Sequence, residues 1–535
     1  MSSNAVNRRG LLAGVGGGLG LAMASPRLLA QPMEAVACFD PAFVDAEVER
    51  FRAAFEVPGF AVAIVGATPQ PFVKGYGVRT LGRSGQVGPH TRFAIASNTK
   101  AYTAAALAIL VDEGRIGWDD PVIRHLPQFR MNDPVVTEMM TIRDLLCHRS
   151  GLPLGAGDLL FFPGTTHVAA DALKALPHLK AERPFRSGYA YDNILYTIAG
   201  LLIARVSGTS WREFITTRLL QPIGETDAVA RLDMLTSTDV AGRHGRRGGR
   251  LLGEGPMTVV QPQGEHGDII EASGGINASV SDQARWMMTQ LARGVAPDGT
   301  RIWSAARSEE MWAPQVVMST SDGPTPENPV RPVIQTYALG WKVLDYRGER
   351  LIGHTGGLTG QITRTSLLPG RGIGVAVFSN VEGDASAGLS NAILDHLIGA
   401  PKLDWVAIQQ AMDQEHRQDL LKELGTQIQK APDGSPTLPL EAYVGRYRDP
   451  WYGDIVVKRR GGGLFIDFTP APDLKGPLEP WGPDTFRTRF PTGFEDALVT
   501  FVVSAGRVER VTMKAFSPLA DFSYDYHHLD FQPTA

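Results

Sequence analysis

Hydrophobic positions follow two kinds of spacing along most of the chain. Apolar residues at helical spacing predict helices over 43–55, 98–113, 193–206, 282–292 and 389–397. Short, nearly continuous apolar runs predict buried strands over 60–65, 72–78, 339–346, 363–368 and 373–379. Because strands stand at both ends with helices between them, we expect one α+β domain whose sheet joins its first and last segments.

The last part of the chain has a different texture. Residues 401–435 show a polar helical pattern whose end overlaps the sequence PDGSP at 432–436, which is typical of a linker. Short alternating runs, separated by Gly, Pro and Asp, then cover 455–458, 464–468, 485–490, 498–503, 508–513 and 522–526. This pattern predicts a small all-β barrel or sandwich over 436–535.

The first thirty residues are typical of an export signal. A polar start with the pair Arg8-Arg9 precedes an apolar, glycine-rich stretch at 10–24, and the order resembles the bacterial twin-arginine signal. No later segment reaches about 18 uninterrupted apolar residues, so we expect no membrane-spanning segment after signal removal. We therefore predict a periplasmic or secreted bacterial protein with a signal at 1–30, a main domain at 31–400, a helical linker at 401–435 and a β domain at 436–535.

Composition narrows the possible functions. The chain has 52 basic and 56 acidic side chains and a net charge of −4, which argues against a nucleic-acid partner because phosphate binding needs a basic surface. With 43% hydrophobic residues and only two cysteines, disordered and disulfide-dense classes are excluded. Cys147 lies in a helical pattern and is expected in the core rather than as a nucleophile.

The start of the helix predicted at 98–113 carries candidate chemistry. Ser97 and Lys100 are three residues apart, so on a helix their side chains share one face. A serine needs a base to act as a nucleophile, and a partly desolvated lysine has its pKa lowered enough to serve as one. Among eleven lysines, only Lys100 has a serine three residues earlier. The alternative is a helix cap beside a surface lysine.

Two further motifs occur once each. Tyr191-Asp192-Asn193 is the only Tyr-x-Asn, and 354–356 is the only His-x-Gly. With the Ser-x-x-Lys pair and the stretches at 141–153 and 273–276, the chain over roughly 40–400 resembles the serine β-lactamase and DD-peptidase superfamily. Its branch of class C β-lactamases, D-aminopeptidases and related esterases is the most similar. That resemblance implies an antiparallel sheet flanked by helices, together with an all-helical subdomain.

The resemblance also implies roles for individual residues. Ser97 would attack a carbonyl, while Lys100 and Tyr191 would move the proton, the phenol being made more acidic by the neighbouring ammonium. Asn193 would hydrogen-bond the substrate amide. The oxyanion hole would use the N–H groups of Ser97 and Gly357. The opposite wall would be lined by His354, Thr355 and Gly356.

Departures from the family pattern guide the functional prediction. β-Lactamases of this branch usually have lysine at the position of His354, and histidine there is more like the peptidase and esterase members. Asp192 replaces a small residue and is expected either to favour a cationic substrate group or to point into solvent, the second being preferred. The arginines at 243, 246, 247 and 250 are interpreted as a solvated loop, with a substrate-carboxylate site as the alternative.

We therefore predict an exported serine hydrolase that forms an acyl-enzyme on small peptides, including peptides with D-residues or linearised cyclic peptides such as microcystin. A carboxylesterase or β-lactamase is the alternative enzyme, and a non-catalytic penicillin-binding or sensor protein is the alternative of another class. No cofactor or metal is expected, since the motif His-Glu-x-x-His is absent and the histidines are scattered. The β domain resembles a lipocalin-like module that either fills its own core, caps the cleft or assembles a homo-oligomer.

Overall fold

The protein is described by a computed structural model that covers residues 39–249, 251, 253–261, 267–426, 434–491 and 493–534. The predicted export signal at 1–30 lies outside these described residues, as does Arg250. No single described helix is long and apolar enough to cross a membrane. Only the bent pair Ile194–Ser207 and Trp211–Ile223 together meets that length and composition.

An eight-stranded antiparallel sheet forms the centre of the main domain. Its strands are β1 (Gly59–Val65), β2 (Phe72–Gly77), β7 (Val316–Thr320), β8 (Ile334–Tyr337), β9 (Lys342–Tyr346), β10 (Glu349–Leu358), β11 (Gln361–Leu368) and β12 (Ile373–Ser379). They lie in the order β2-β1-β12-β11-β10-β9-β8-β7. Two small sheets pair β3 (Phe93–Ala94) with β6 (Asn277–Ala278) and β4 (His244–Arg246) with β5 (Met257–Val259). The predicted joining of first and last segments is confirmed by β1, which lies between β2 and β12.

Helices cover the sheet and build a helical region beside it. They are α1 (Pro41–Phe55), α2 (Thr99–Asp112), α3 (Val122–His125), α4 (Pro134–Met139), α5 (Ala169–Ala175), α6 (Ile194–Ser207), α7 (Trp211–Ile215), α8 (Gln221–Ile223), α9 (Glu271–Gly274), α10 (Val280–Leu291), α11 (Ala305–Met311), α12 (Ala385–Leu397) and α13 (Trp405–Thr426). Helix α2 is buried on all sides from Thr99 to Leu110, because its run of alanines lets neighbours approach closely. The predicted α+β class is confirmed.

The apolar run at 339–346 was predicted as one strand, and this was wrong in detail. A turn occupies its beginning, and β9 starts only at Lys342. The pattern of apolar residues does not predict the long strand β10, because its glycines and central histidine lower its strand propensity, and only the family resemblance implies a strand at His354. That strand borders the site described below.

The terminal domain is a closed barrel. Its eight strands are β13 (Gly445–Asp449), β14 (Gly453–Arg460), β15 (Gly463–Phe468), β16 (Lys475–Gly482), β17 (Thr485–Thr488), β18 (Ala497–Ser504), β19 (Arg507–Ala515) and β20 (Asp530–Pro533). Aromatic side chains meet edge to face in its interior, as Tyr452, Phe468 and Phe531 do. The prediction of an all-β terminal domain with an aromatic core is confirmed, and a barrel rather than a sandwich is what forms.

Candidate active site

Ser97 lies in a tight turn directly before α2. Directly after strand β3, the backbone N–H of Ile95 donates to the Ile276 carbonyl at 3.0 Å. Ala96 then has a φ of 46°, a left-handed conformation that is strained for a residue with a Cβ. This turn presents the Ser97 side chain, which keeps partial exposure, at the start of a fully buried helix.

Lys100 is completely buried and reaches Ser97. Its Nζ lies 3.3 Å from Ser97 Oγ, 2.7 Å from Asn193 Oδ1 and 3.0 Å from the Ser273 carbonyl. Burial lowers the pKa of Lys100 to about 7, although the carboxyl groups of Asp158 and Asp192 oppose the shift. A substantial fraction of the lysine is therefore the neutral amine at neutral pH, which is the form that accepts a proton.

Tyr191 contacts the same serine oxygen from the other side. Its hydroxyl lies 2.8 Å from Ser97 Oγ, and Lys100 Nζ lies 4.7 Å from the centre of its ring. Burial raises the pKa of Tyr191 well above its ordinary value, and the hydrogen bond with Ser97 offsets this only in part. The expectation that the ammonium makes this phenol more acidic is therefore wrong, and Tyr191 keeps its proton.

Asn193 lies behind Lys100 rather than in the open cleft. Its Nδ2 donates to both carboxyl oxygens of Asp158 at 3.1 Å, and its Oδ1 accepts from Lys100. Because both ends of the amide are engaged within the protein, this geometry differs from the predicted contact with a substrate amide. Asn193 orients the lysine instead.

Asp192 was expected to favour a cationic substrate group or to point into solvent, and both interpretations are wrong. The side chain is fully buried. Its Oδ1 accepts the N–H of Leu195 at 3.2 Å in the first turn of α6, and its other oxygen lies 3.8 Å from His148. Asp192 therefore fixes the start of α6, which holds Tyr191 and Asn193 in place.

Strand β10 forms the facing wall. A Cβ added to Gly356 would lie 1.9 Å from the Ile95 carbonyl oxygen, so only glycine lets β10 approach the turn that carries Ser97. Thr355 is partly exposed and Gly357 is exposed. Hydrogen bonds thus join four of the eight sequence-predicted site residues, Ser97, Lys100, Tyr191 and Asn193, and the other four lie on the strand that passes the turn before α2.

His354 is buried and neutral. Its Nδ1 lies 2.8 Å from the Thr355 carbonyl and must donate, so its Nε2 accepts from the Tyr337 hydroxyl at 2.9 Å. Burial, together with the charges of Lys342 and Lys100, lowers the pKa of His354 well below its usual value. The side chain therefore brings no positive charge to the position where the β-lactamases that the sequence resembles usually carry lysine.

Two cations lie close to this wall. Lys342 pairs in the sheet with Gly353, and Arg364 pairs with Thr355. Burial and the charge of Arg364 lower the pKa of Lys342 to about 8. Neither cation forms an ion pair with a carboxylate among the residues that the structure covers, although the charge of Asp384 acts on Arg364 from a greater distance.

The arginine-rich loop divides into different roles. Arg246 pairs with Glu56 and Arg247 with Glu382, so these two are structural. Arg243 packs against Gly360 in the turn after β10, and burial lowers its pKa to about 10. Within the described part of the chain it has no ion pair, so the interpretation of this loop as simply solvated does not hold for Arg243.

Sequence reasoning missed Asp158 and the barrel residues that contact it. Asp158 is fully buried, and Ser523 of the terminal barrel donates to its Oδ2 at 2.9 Å. Asp525 accepts the N–H groups of Gly157 at 2.8 Å and Leu159 at 3.1 Å. The only sequence signal for Asp158 was a lone carboxyl group inside the apolar run 158–162.

One cluster among the described residues has side chains suited to a metal. Ligand atoms of Glu182, His527 and His528 lie within 4.8 Å of one another. The two histidine rings are 3.9 Å apart, and His528 Nδ1 lies 3.1 Å from Asp525 Oδ2. The cluster belongs to the contact between barrel and main domain, and none of its members hydrogen-bonds to Ser97, Lys100 or Tyr191.

Known protein families match both the main domain and the terminal domain of the chain. The sequence profile of the family described as Beta-lactamase matches residues 44–400, and that of a domain of unknown function (DUF3471) matches 429–533. The unguisins hydrolase ungD' of Aspergillus campestris (strain IBT 28561) is 27% identical over 429 residues, 75% of each chain. Protein flp of Staphylococcus aureus (strain COL) is 26% identical over 341 residues, 64% of this chain and 63% of its own.

Two solved structures share the fold. The octameric penicillin-binding protein homologue from Pyrococcus abyssi superimposes with a TM-score of 0.57 at 22% identity, over 89% of this chain and 98% of its own. A D-stereospecific amidohydrolase from Streptomyces sp. gives a TM-score of 0.52 at 21% identity, over 66% and 98%. At these identities the likeness concerns the fold alone.

Proposed function

The chain belongs to the beta-lactamase family and is a serine hydrolase, and we propose that it is a peptidase or amidase that forms its acyl-enzyme on Ser97. One observation carries the proposal: Ser97 Oγ lies between Lys100 Nζ at 3.3 Å and the Tyr191 hydroxyl at 2.8 Å. A neutral lysine and a protonated phenol on the same oxygen supply the base and the proton donor that amide cleavage needs.

These positions support the following proposed reaction. Neutral Lys100 takes the hydroxyl proton of Ser97 while Oγ forms a bond to the substrate carbonyl carbon. The oxyanion is stabilised by the N–H groups of Ser97 and Gly357. The C–N bond then breaks, and the proton held by Lys100 is passed through the Tyr191 hydroxyl to the leaving nitrogen. In the second half of the reaction, water attacks the ester carbonyl and Lys100 takes its proton. The bond to Ser97 Oγ then breaks, and the proton is returned to this oxygen, which restores the free serine.

Peptides with a free carboxylate are the substrates we favour. Lys342 and Arg364 beside β10 form no direct ion pair with a described carboxylate, the charge of Asp384 acting on Arg364 only from a distance, and Arg364 pairs with Thr355, two residues before Gly357. Two residues of strand span about 7 Å, which suits a carboxylate one residue away from the scissile bond. Peptides with D-residues and linearised cyclic peptides remain within this proposed class.

A matched substrate panel tests the proposal. Purified protein is assayed with L- and D-residue dipeptides as free acids and as C-terminal amides, with esters of the same acyl groups, and with a chromogenic cephalosporin. We expect the free-acid peptides to have the highest kcat/KM and Arg364→Met to reduce their advantage over the amides about tenfold. Faster turnover of esters or of the cephalosporin than of every peptide contradicts the proposed class.

A non-catalytic binding protein is the alternative from another class. It predicts stoichiometric binding of ligands without turnover, so Ser97→Ala would leave binding unchanged and there would be no rate to lose. Hydrolysis that is present in the wild type and absent in Ser97→Ala decides against this alternative.

Export is also part of the proposal, because Arg8-Arg9 and the apolar stretch at 10–24 are typical of a signal. Expression in a bacterium with an active twin-arginine system should place the mature protein outside the cytoplasm. Replacing both arginines by lysine should retain it inside. If the wild type and the lysine variant are found in the same proportions inside and outside the cytoplasm, the proposed signal is contradicted.

A further inference from the structure

The loop between β19 and β20 of the barrel, residues 516–529, reaches the cleft of the main domain; we call it the barrel loop. Phe522 packs so closely that a Cβ on Gly155 would lie 2.7 Å from its ring, and the ring centre is 6.3 Å from that of Tyr191. Ser523 and Asp525 make the hydrogen bonds to Asp158 and to the backbone at 157 and 159. The barrel therefore touches the segment next to the nucleophile.

A chain of hydrogen bonds connects the barrel loop to the base. Ser523 Oγ donates to Asp158, both oxygens of Asp158 accept from Asn193 Nδ2, and Asn193 Oδ1 accepts from Lys100. Every side chain in this chain is buried, so each hydrogen bond fixes the orientation of the next group. The lysine ends the chain 3.3 Å from Ser97 Oγ.

We propose that the terminal barrel completes the active site, with Ser523 and Asp525 acting as positioning residues that hold Asp158, and through Asn193 hold Lys100, for proton transfer from Ser97. The proposal rests on the proposed function because it assumes Lys100 as the base. It extends that function because the barrel contributes to the active site. A barrel that is only an attached, independently folded domain would not affect catalysis.

The electrostatics of the two carboxyl groups support this role. Asp525 accepts two backbone N–H groups and lies 3.1 Å from His528 Nδ1, so its carboxyl group is fixed close to Asp158. Asp158 has no ion pair with a described cation, and burial and the charge of Asp525 raise its pKa well above the ordinary value. The raised pKa of Asp158 reduces the ionised fraction of this carboxyl group beside Lys100, so Asp158 opposes deprotonation of the lysine less than an ordinary carboxylate would.

Other groups face the same lysine. Asp192 also opposes the lowered pKa of Lys100, the rings of Tyr191 and Tyr196 lie within about 5 Å of its Nζ, and its charge acts on His148 and His354. These groups stay in place in the variants proposed next. Any difference between those variants is therefore due to Asp158 and Asp525.

The test compares pH–rate profiles of the full-length wild type, Asp525→Asn, Asp158→Asn and the double variant. In Asp525→Asn the pKa of Asp158 should fall, so a larger fraction of Asp158 ionises, the pKa of Lys100 rises, and the acid limb of kcat/KM moves up by about one pH unit. In Asp158→Asn the limb should lie at or below the wild-type position, because the carboxyl group that raises the pKa of Lys100 is gone. The double variant should match Asp158→Asn, since no carboxyl group remains there to ionise.

An Asp525→Asn limb that does not move, or that moves equally in the presence and absence of Asp158, overturns the proposal. Exposed Asp530 lies in β20 of the same barrel and pairs with Arg510, so Asp530→Asn is the matched control and should leave the profile unchanged. Labelling of Ser97 by a fluorophosphonate is measured in all forms. If the wild type is not labelled, the proposed function itself is contradicted. Failure of the barrel proposal, in which Ser97 is still labelled, is therefore distinguishable from failure of the proposed function.

A second pair of variants covers the case in which Asp525→Asn does not fold. Asp158→Ala removes the acceptor for Asn193 and should lower kcat about tenfold to a hundredfold with little change in KM. Asp158→Asn keeps an oxygen for Asn193 and a group for Ser523, so it should recover most of that loss. Equal losses in both variants would contradict a positioning role for Asp158.

Discussion

Two buried carboxyl groups in one stretch of the main domain have opposite environments. Asp144 accepts from Arg149 Nε at 2.7 Å and Arg186 Nη2 at 2.5 Å, and also from Thr141. These bonds lower its pKa despite burial. Asp158 is just as fully buried, but its partners are the neutral side chains of Asn193 and Ser523, and its pKa is raised.

The different environments give the two carboxyl groups different roles, Asp144 in the stability of the fold and Asp158 in the chemistry of the site. A buried carboxylate paired with two arginines is a fixed charge that joins segments of the fold, and its removal leaves cations unpaired. A buried acid without a cation, linked by one amide to a lysine beside a nucleophilic serine, is arranged so that protonation can tune a reaction. The same residue type therefore serves the fold in one place and the active site fourteen positions later.

The largest effect is expected at the lysine that the Asp158 network holds. Lys100→Met removes the base, so kcat should fall by about a hundredfold to ten-thousandfold. The thermal midpoint should be unchanged or higher, because a buried lysine is replaced by an apolar side chain of similar length. Steady-state kinetics and calorimetry measure both. Lys174→Met, at a lysine whose side chain is 76% exposed, is the control. If kcat is not reduced in Lys100→Met, a residue other than Lys100 is the base.

The next effect concerns Asp144 and is one of stability. Asp144→Asn should reduce the free energy of unfolding by about 3 kcal/mol, since Arg149 and Arg186 lose their charge partner. Asp158→Asn should cost much less, because the amide imitates a protonated acid. Urea unfolding of the two variants measures the difference. A larger loss in Asp158→Asn than in Asp144→Asn would reverse the comparison.

The wild-type pH dependence should separate the two carboxyl networks. Lys100, with a pKa of about 7, is active as the free amine, so kcat/KM should fall about tenfold per pH unit below pH 7. Asp144 has a folded pKa below its unfolded value, so its contribution to stability persists above about pH 4 and is lost only as the pH falls further. Activity should therefore decline while the protein is still folded, as followed by rate and circular dichroism together. Simultaneous loss of both would contradict this separation.

The smallest effect is expected at the barrel loop's aromatic residue. Phe522 is 40% exposed beside the Tyr191 ring, so Phe522→Ala should widen the cleft and change KM by a few-fold, most for substrates with bulky side chains. A matched series of small and bulky peptides measures this selectivity. Identical changes in KM for all members would mean that Phe522 does not contact substrate.

The comparison also shows what sequence reasoning can reach. Ser97 and Lys100 were found because a spacing of three residues is a local property of the sequence, and the apolar runs of β1 and β12 indicated a buried sheet. The link between Asp158 and Ser523 joins residues 365 positions apart in different domains, and no local pattern encodes it. The pKa of Tyr191 was misjudged because burial of its ring depends on how distant segments pack.

Strand β10 illustrates the same limit in another way. Gly356 weakens the strand signal, yet it is required because the strand passes the Ile95 carbonyl too closely for any Cβ. Glycine is thus required at position 356 by the close packing, and the same glycine lowers the strand propensity from which β10 would be predicted.

The central claim is that Ser97 carries the acyl group. The most direct test is mass spectrometry of the protein quenched during turnover of a slow substrate, followed by proteolysis to locate the modification. The account predicts an added acyl mass on the peptide that contains Ser97 in the wild type and none in Ser97→Ala. An adduct that persists in Ser97→Ala, or turnover with no adduct on any peptide, would contradict it.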